Sequence, residues 1–384
     1  MKRNATGTYE VTAAGGETMR AFIPRPLPPQ PKLDLSGPIQ PLLERALLAL
    51  GRLDSISTML PDTDLFLYSY VRKEAVLSSQ IEGTQSSLSD LLLFEMEQAP
   101  GAPLDDVVEV SGYVNALEHG LARMRGGFPL SSRLIREVHA KLLARGRGSN
   151  KDPGEFRRSQ NWIGGTRPGN AVFVPPPHVA VASCISDLER FLHDDGDDLP
   201  TLIKAALAHL QFETIHPFLD GNGRVGRLLI TLILCHAGVL SEPLLYLSLY
   251  FKQNRAEYYR LLDAVRHDGD WEAWIEFFLE GVEQTSNSAV STAKQLAAVF
   301  SADRELIQKQ GRRAGSALRV CGALTSRPIL TLSGTTRRTG LSFPGASDGM
   351  KLLTELGIVR ELTGNKRNRV YAYDRYLALL AEGT

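Results

Sequence analysis

Two apolar stripes of helical spacing flank the run His216-Pro217-Phe218-Leu219-Asp220-Gly221-Asn222-Gly223-Arg224-Val225-Gly226-Arg227, and a chain so arranged must set that run between two packed helices. Leu202, Ile203, Ala206, Leu207 and Leu210 make the first stripe, and Val225, Leu228, Leu229, Leu232 and Ile233 the second. The first helix has to end near His216, because the residue before a proline is pushed out of the α region. The second begins in the glycine-containing loop and ends near Gly238. Gly221 and Gly223 can both take positive φ, which would aim successive N–H groups into one concavity at a helix N-terminus, an anion-binding arrangement.

The charged groups suit the same ligand. Arg224 and Arg227 are three apart on the first turn, on the side opposite Val225 and Leu228, and guanidinium groups grip phosphate oxygens in pairs. Asp220 offers a hard oxygen of the kind Mg²⁺ takes from one or two carboxylates, completing its shell with phosphate oxygens and water. His216, with an ordinary pKa near 6.5, is the residue suited to remove a proton from an attacking hydroxyl. Phe218 reads as an apolar anchor for the loop. No packing need calls for Asp, Gly, Asn, Gly and Arg in succession.

This run resembles the motif of Fic-domain proteins, His-x-Phe-x-Asp/Glu-Gly-Asn-Gly-Arg-x-x-Arg, with every defined position filled. The resemblance implies a mainly α fold, a helical bundle with a β-hairpin flap, and an enzyme that binds Mg²⁺ and ATP and transfers AMP to a hydroxyl of a target protein. It makes His216 the base, Asp220 the Mg²⁺ ligand, Gly221, Asn222 and Gly223 the phosphate cradle, and Arg224 and Arg227 the holders of the outer phosphates. Val225 and Gly226 fall inside the nucleotide-binding stretch so defined. A second stretch, Ser78-Ser79-Gln80-Ile81-Glu82-Gly83, resembles the inhibitory signature that precedes the Fic core in one class of the family. Tyr68, Arg72, Ala75 and Ser79 share a stripe with Leu65, so a helix near 64–83 is expected, stopped by Gly83. Ser78 and Glu82 then share a face. An acid at a helix C-terminus meets the unfavourable end of the dipole and wants a cation; the resemblance supplies Arg227.

Between the two stretches, Asn161 to Val174 carries Gly and Pro-Gly punctuation between β-prone runs, closing on Pro175-Pro176-Pro177, and reads as a hairpin. It is either an ordinary surface hairpin or, by the resemblance, a flap that aligns the target's backbone, with Ile163 against the nucleotide base. Tyr258 and Tyr259 are either core residues or contacts to adenine and ribose. Trp271, Trp274, Phe277 and Phe278 read as core.

The rest of the chain sets limits. Its 384 residues carry 43 basic and 43 acidic side chains, the balance of an ordinary globular protein. Cys184, Cys235 and Cys321 show no paired spacing, which argues against a disulfide framework or a zinc site and for a reducing, cytoplasmic setting. The basic start Met1-Lys2-Arg3-Asn4 lacks the apolar run of a secretory signal. His236, Gly238 and Pro243 interrupt the apolar stretch 228–251, so no membrane association is expected. Three parts follow: an extended arm over 1–37, proline-rich from Pro24 to Pro31; a helical domain over 38–298; and a basic tail over 299–384, in which residues 301–384 hold 14 Lys and Arg against 7 Asp and Glu. The tail shows a helix from Ala302 to Cys321, a short segment at Pro328 to Thr331, a helix at Met350 to Leu356, and two strands about Thr363-Gly364-Asn365. It resembles a small winged helix-turn-helix domain, with Lys366, Arg367 and Arg369 in the wing. Gly345, Ala346, Ser347, Asp348 and Gly349 lack the groups that read bases directly, so DNA binding stands beside a packing, dimerising or target-recruiting role.

Three functions are therefore carried: an adenylyltransferase autoinhibited by Glu82 that modifies a protein substrate or itself; a de-AMPylating hydrolase on the same site, with Glu82 orienting a water; and a DNA-binding regulator with a nucleotide-sensing Fic domain. A homodimer is compatible with all three.

Overall fold

A computed structural model describes residues 3–59, 63–96, 103–194, 196, 198–365 and 368–382. The stretch read as an extended arm holds an element that its sequence did not announce. β1 (Gly7–Ala14) and β2 (Glu17–Pro24) pair antiparallel about Gly15-Gly16, both at positive φ as a two-residue turn of this hand demands. Only Met19, Ala21 and Phe22, with Pro24, are buried along β2, an apolar face too short to register as a pattern.

The helical body follows in order: α1 (Ile39–Met59), α2 (Thr63–Ile81), α3 (Leu88–Phe94), α4 (Leu104–Arg125), α5 (Ser132–Leu142), α6 (His178–Leu192), α7 (Thr201–Ile215), α8 (Asn222–His236), α9 (Ser248–Gln253), α10 (Arg255–Asp268) and α11 (Trp271–Gln308). α7 and α8 are the two helices expected on either side of the motif, and they pack on each other at the centre. α7 is buried on every side from Ala205 to Ile215, with the polar His209, Gln211, Glu213 and Thr214 enclosed among its apolar residues. α2, α4 and α5 lie against α8, α6 and α10 against α7, and α1 runs along α11. The predicted helix starts and stops hold: α7 ends at His216, whose φ of 49° makes a left-handed cap, and α8 gives way to Gly238 at φ 68°.

Two boundaries differ from expectation. α11 passes through 298–299 without a break, and the helix expected from Ala302 to Cys321 is split, because the chain turns at Gly311 (φ 59°) before α12 (Ala314–Ser326). After α12 come β3 (Ile329–Thr331), α13 (Leu332–Thr339), α14 (Phe343–Glu355), β4 (Arg360–Glu361), β5 (Val370–Ala372) and α15 (Asp374–Ala381). The three strands form one antiparallel sheet in the order β3-β5-β4. Lys366 and Arg367, two of the cations expected between β4 and β5, lie outside the described residues. Among the described residues no helix is long and apolar enough to cross a membrane. The three cysteines are free.

Trp274 sits at the middle of the core and donates its indole N–H to the Ala206 carbonyl at 2.9 Å. Trp274→Ala removes the ring and leaves a cavity at the centre of the core, so the expected loss is about 3–5 kcal/mol of unfolding free energy, read by urea denaturation.

Candidate active site

His216 occupies the C-cap of α7 in the left-handed conformation, at φ 49° and ψ 61°. Burial, reinforced by the charges of Arg157 and Arg266, pushes the imidazole down to about 4. It is therefore neutral and able to accept a proton at neutral pH. Its Nδ1 is sealed from solvent while the residue as a whole is partly open, which leaves Nε2 for a substrate.

The loop after His216 is held by residues that do not belong to the motif. Arg157, almost fully buried, donates from Nε to the His216 carbonyl at 2.9 Å and from a terminal nitrogen to the Pro176 carbonyl at 2.5 Å, and its backbone N–H bonds the Pro217 carbonyl at 2.9 Å. One guanidinium thus joins the catalytic turn to the root of the 161–174 segment. His139 of α5 stacks on Phe218 with ring centroids 3.7 Å apart. Its Nδ1 accepts the Gly154 N–H at 2.8 Å, so in the neutral ring Nε2 carries the proton it gives to the Asp220 carbonyl at 3.0 Å. Burial keeps that ring neutral by pushing its pKa down to about 4. Phe218 is fully buried, the anchor it was expected to be.

Two of the expected cradle residues act otherwise. Asn222 spends both halves of its amide on Phe218, accepting its N–H at 2.8 Å and donating to its carbonyl at 2.9 Å, so it shapes the loop from within. Gly221 does take positive φ, at 74°, but Gly223 lies inside α8 with helical backbone. Glycine at 223 makes room for Glu82: a Cβ there would stand 2.2 Å from Glu82 Oε1, so the carboxylate would have to shift.

That contact is the centre of the site. Glu82, one residue beyond α2, lays its carboxylate over Gly223 in the first turn of α8 and receives the Arg227 guanidinium at 2.7 Å. Arg227 also donates from Nε to Ser78 Oγ at 2.9 Å and from the same terminal nitrogen to the Ser78 carbonyl at 3.0 Å. Ser78 and Glu82 thus act from one face, as read from the spacing, and Gly83 follows at φ 101°. Burial is the largest single influence and works to raise the Glu82 pKa, but the charge and hydrogen bond of Arg227 together with the charge of Arg224 outweigh it and hold the carboxyl below its usual range. The anion position at the start of α8 is filled by the protein's own carboxylate.

Arg224 has a different fate. Its side chain is 1% exposed and pairs with Glu109 of α4 at 2.9 Å, while Arg147 bonds the same carboxylate at 2.9 Å. Asp220 lies 3.6 Å from Arg224, accepts the Gly221 N–H at 2.6 Å through Oδ1, and remains one-third open to solvent. One accessible carboxylate, its acidic neighbour Glu109 buried and paired with Arg224 and Arg147, fits a hydrated Mg²⁺ carried in with phosphates, and among the described residues no group of three or more His, Cys, Asp or Glu could hold a metal by itself.

The remaining expected residues are not drawn together. Val225 packs in the core and Gly226 faces Glu213 of α7, so neither side presents itself to a ligand. Tyr258 is buried against Phe251, its hydroxyl 2.9 Å from His209 Nε2, which makes it a core residue. Tyr259 is 42% exposed. Ile163 is engaged through its backbone in a bridge with Phe173.

Residues 40–122 match the description Fic/DOC family N-terminal, and residues 129–234 match Fic/DOC family. The chain carries a Fic/DOC N-terminal domain and a Fic/DOC domain. Among curated relatives, a protein adenylyltransferase Fic of Drosophila grimshawi is 29% identical over 255 residues, covering 64% of this chain and 49% of that one. A protein of the same name from Drosophila melanogaster is 30% identical over 208 residues, 53% of this chain and 39% of that one. The chain thus spans half or less of the length of these relatives. Two solved structures share the fold: a Fic family protein from Desulfovibrio desulfuricans, 20% identical with TM-score 0.58 over 90% of this chain and 98% of that one, and a Fic domain containing signaling protein from Bacteroides thetaiotaomicron, 19% identical with TM-score 0.52 over 66% and 97%.

The buried pair in this Fic chain gives one expected outcome. Glu109→Ala strands Arg224 without its counter-charge, and urea unfolding should show a loss of about 3–5 kcal/mol. The imidazole gives another. Because burial disfavours the charged form, His216 should half-protonate near pH 4 and not near the ordinary value of about 6.5, as followed by NMR of the labelled ring. A midpoint near the ordinary value contradicts the geometry.

Proposed function

We propose that the chain is a protein adenylyltransferase held in check by Glu82. The observation that carries the reading is the Glu82 carboxylate seated over Gly223 and bonded to Arg227, the place where an anionic ligand of α8 belongs. When Glu82 withdraws, the Arg227 guanidinium and the α8 N-terminus lose their internal anion and accept the outer phosphates of ATP. Asp220 would hold Mg²⁺, whose charge offsets that of the phosphates. His216 takes the proton of an acceptor hydroxyl as its oxygen bonds to the α-phosphorus, and the bond from that phosphorus to the bridging oxygen breaks to release pyrophosphate. Positioning and charge carry such a transfer, and the buried anchors Arg157 and His139 supply the positioning. The 161–174 segment would align the acceptor, a protein partner or a second copy of the chain.

Removal of AMP from a modified protein is the second reading. It draws on Glu82 Oε2, which receives no hydrogen bond from the described residues and could orient a water toward the phosphorus.

The sheet order β3-β5-β4 with α12, α13 and α14 supports a winged-helix reading of the tail. Its DNA-binding use draws little support from α14. Ala346, Gly349, Met350 and Leu353 face inward, and the exposed residues Asp348, Lys351, Thr354 and Glu355 carry more negative than positive charge. A packing or recruiting role suits the tail better.

Intact mass spectrometry after incubation with ATP and Mg²⁺ tests the transfer. Glu82→Gly should gain the mass of AMP on itself or on an added acceptor at least about tenfold faster than the native chain, a change worth about 1.4 kcal/mol of barrier. Glu82→Gly combined with His216→Ala should gain none. Equal incorporation in the native chain and Glu82→Gly rules out inhibition by Glu82. Loss of AMP from a modified acceptor, faster with Glu82 than without it, supports removal.

A further inference from the structure

The segment 161–174 is poorly equipped to hold its own shape. Its two arms share one bridge, with Ile163 N–H on the Phe173 carbonyl at 2.8 Å and Phe173 N–H on the Ile163 carbonyl at 3.0 Å. Its tip is a single turn over Pro168–Asn170, closed by the Asn170 side chain accepting the N–H groups of Thr166 and Arg167, both at 3.0 Å. A hairpin of this size is marginal without outside support.

That support comes from the N-terminal hairpin, which grips the segment at both ends. At the root, Phe22 of β2 donates its backbone N–H to the Val174 carbonyl at 2.9 Å, which ties the segment to the outer side of β2. The Phe22 ring stands 6.1 Å from the Phe173 ring, whose face is covered by the Arg266 guanidinium at 3.9 Å. At the tip, Glu17, the first residue after the Gly15-Gly16 turn, accepts the Arg167 guanidinium on one oxygen at 2.7 Å and the Gly169 N–H on the other at 2.6 Å. The approach is close enough that a Cβ on Gly169 would come within 2.3 Å of the carboxylate. An ion pair this exposed contributes little by itself. Here the same carboxylate also satisfies a backbone donor at the turn, and it does so where the segment has few bonds of its own.

We propose that the N-terminal hairpin is a working part of the active site, and that Glu17 is the positioning residue that sets the tip of the 161–174 segment and so the path along which an acceptor polypeptide reaches His216. The inference rests on the reading of that segment as the acceptor-aligning flap. Glu17 bonds flap residues and makes no described contact to the catalytic loop. Its effect therefore falls on the acceptor and not on the nucleotide. A shift of one residue in a strand turns every side chain to the opposite face, so even modest loosening of the flap misplaces a hydroxyl.

Hydrogen exchange of the full-length chain tests the clamp directly. Glu17→Ala should speed exchange at the amides of 163, 172 and 173 by about two- to fivefold, the size expected for an exposed charge pair, without moving the urea midpoint. Glu17→Gln, which keeps an acceptor for Gly169 and loses the charge, should fall between. In the Glu82→Gly background, Glu17→Ala should lower AMP incorporation into acceptor while leaving the affinity for ATP unchanged. Unaltered exchange in Glu17→Ala overturns the clamp. Faster exchange with undiminished AMP incorporation overturns its role in aligning the acceptor. Faster exchange with no AMP incorporation in any Glu82→Gly chain upholds the clamp and counts against the transfer reading instead.

Discussion

A guanidinium sealed at the centre of a protein must have an anion, and in this chain the choice of anion for Arg227 governs what the first turn of α8 can hold. The side chain is 2% exposed, so leaving it unpaired would cost several kcal/mol. Ser78 satisfies part of the fork through its hydroxyl and carbonyl, and Glu82 supplies the charge. Helix α2 is thereby fastened to α8 through three bonds to one residue. A phosphate offering more negative charge competes for the same nitrogen atoms, and any displacement of Glu82 must draw on the end of α2.

The catalytic loop itself owes its shape to neutral, buried groups. His139 and His216 are both kept uncharged by burial; the first braces Asp220 through its carbonyl, and the second keeps a ring nitrogen able to accept a proton. Arg157 does the opposite work, a charge whose donors end on backbone carbonyls. Burial lowers its pKa to about 10, still far above neutrality. The loop is consequently fixed from behind, and its front is left to the ligand.

The sequence made the centre legible and the supports invisible, for physical reasons. His216 to Arg227 could be read because that succession of residue types has no packing explanation, and Glu82 because a carboxylate at a helix end needs a cation. Arg157, His139 and Glu109 could not be read, since each is a lone residue whose partners are backbone atoms or side chains tens of residues away. Asn222 and Gly223 were legible as essential and misleading as to role: the amide is spent on Phe218, and the glycine makes room where flexibility was expected. β1 and β2 escaped because their buried face is only a few residues long, and Tyr258 shows that an aromatic at helical spacing belongs more often to the core.

Helix α11 carries a mechanical consequence. Its 38 residues form a rod about 57 Å long that braces α1 at one end and the C-terminal elements at the other. Asp303 near its far end receives the Tyr373 hydroxyl, while Tyr376 meets Ser69 and Arg327 covers the ring of Tyr68, both on α2. The tail is therefore bolted at two points and has no free tether. A load borne by the tail therefore passes both to α11 through Asp303 and to α2, the helix that leads into Glu82, through Ser69 and Tyr68.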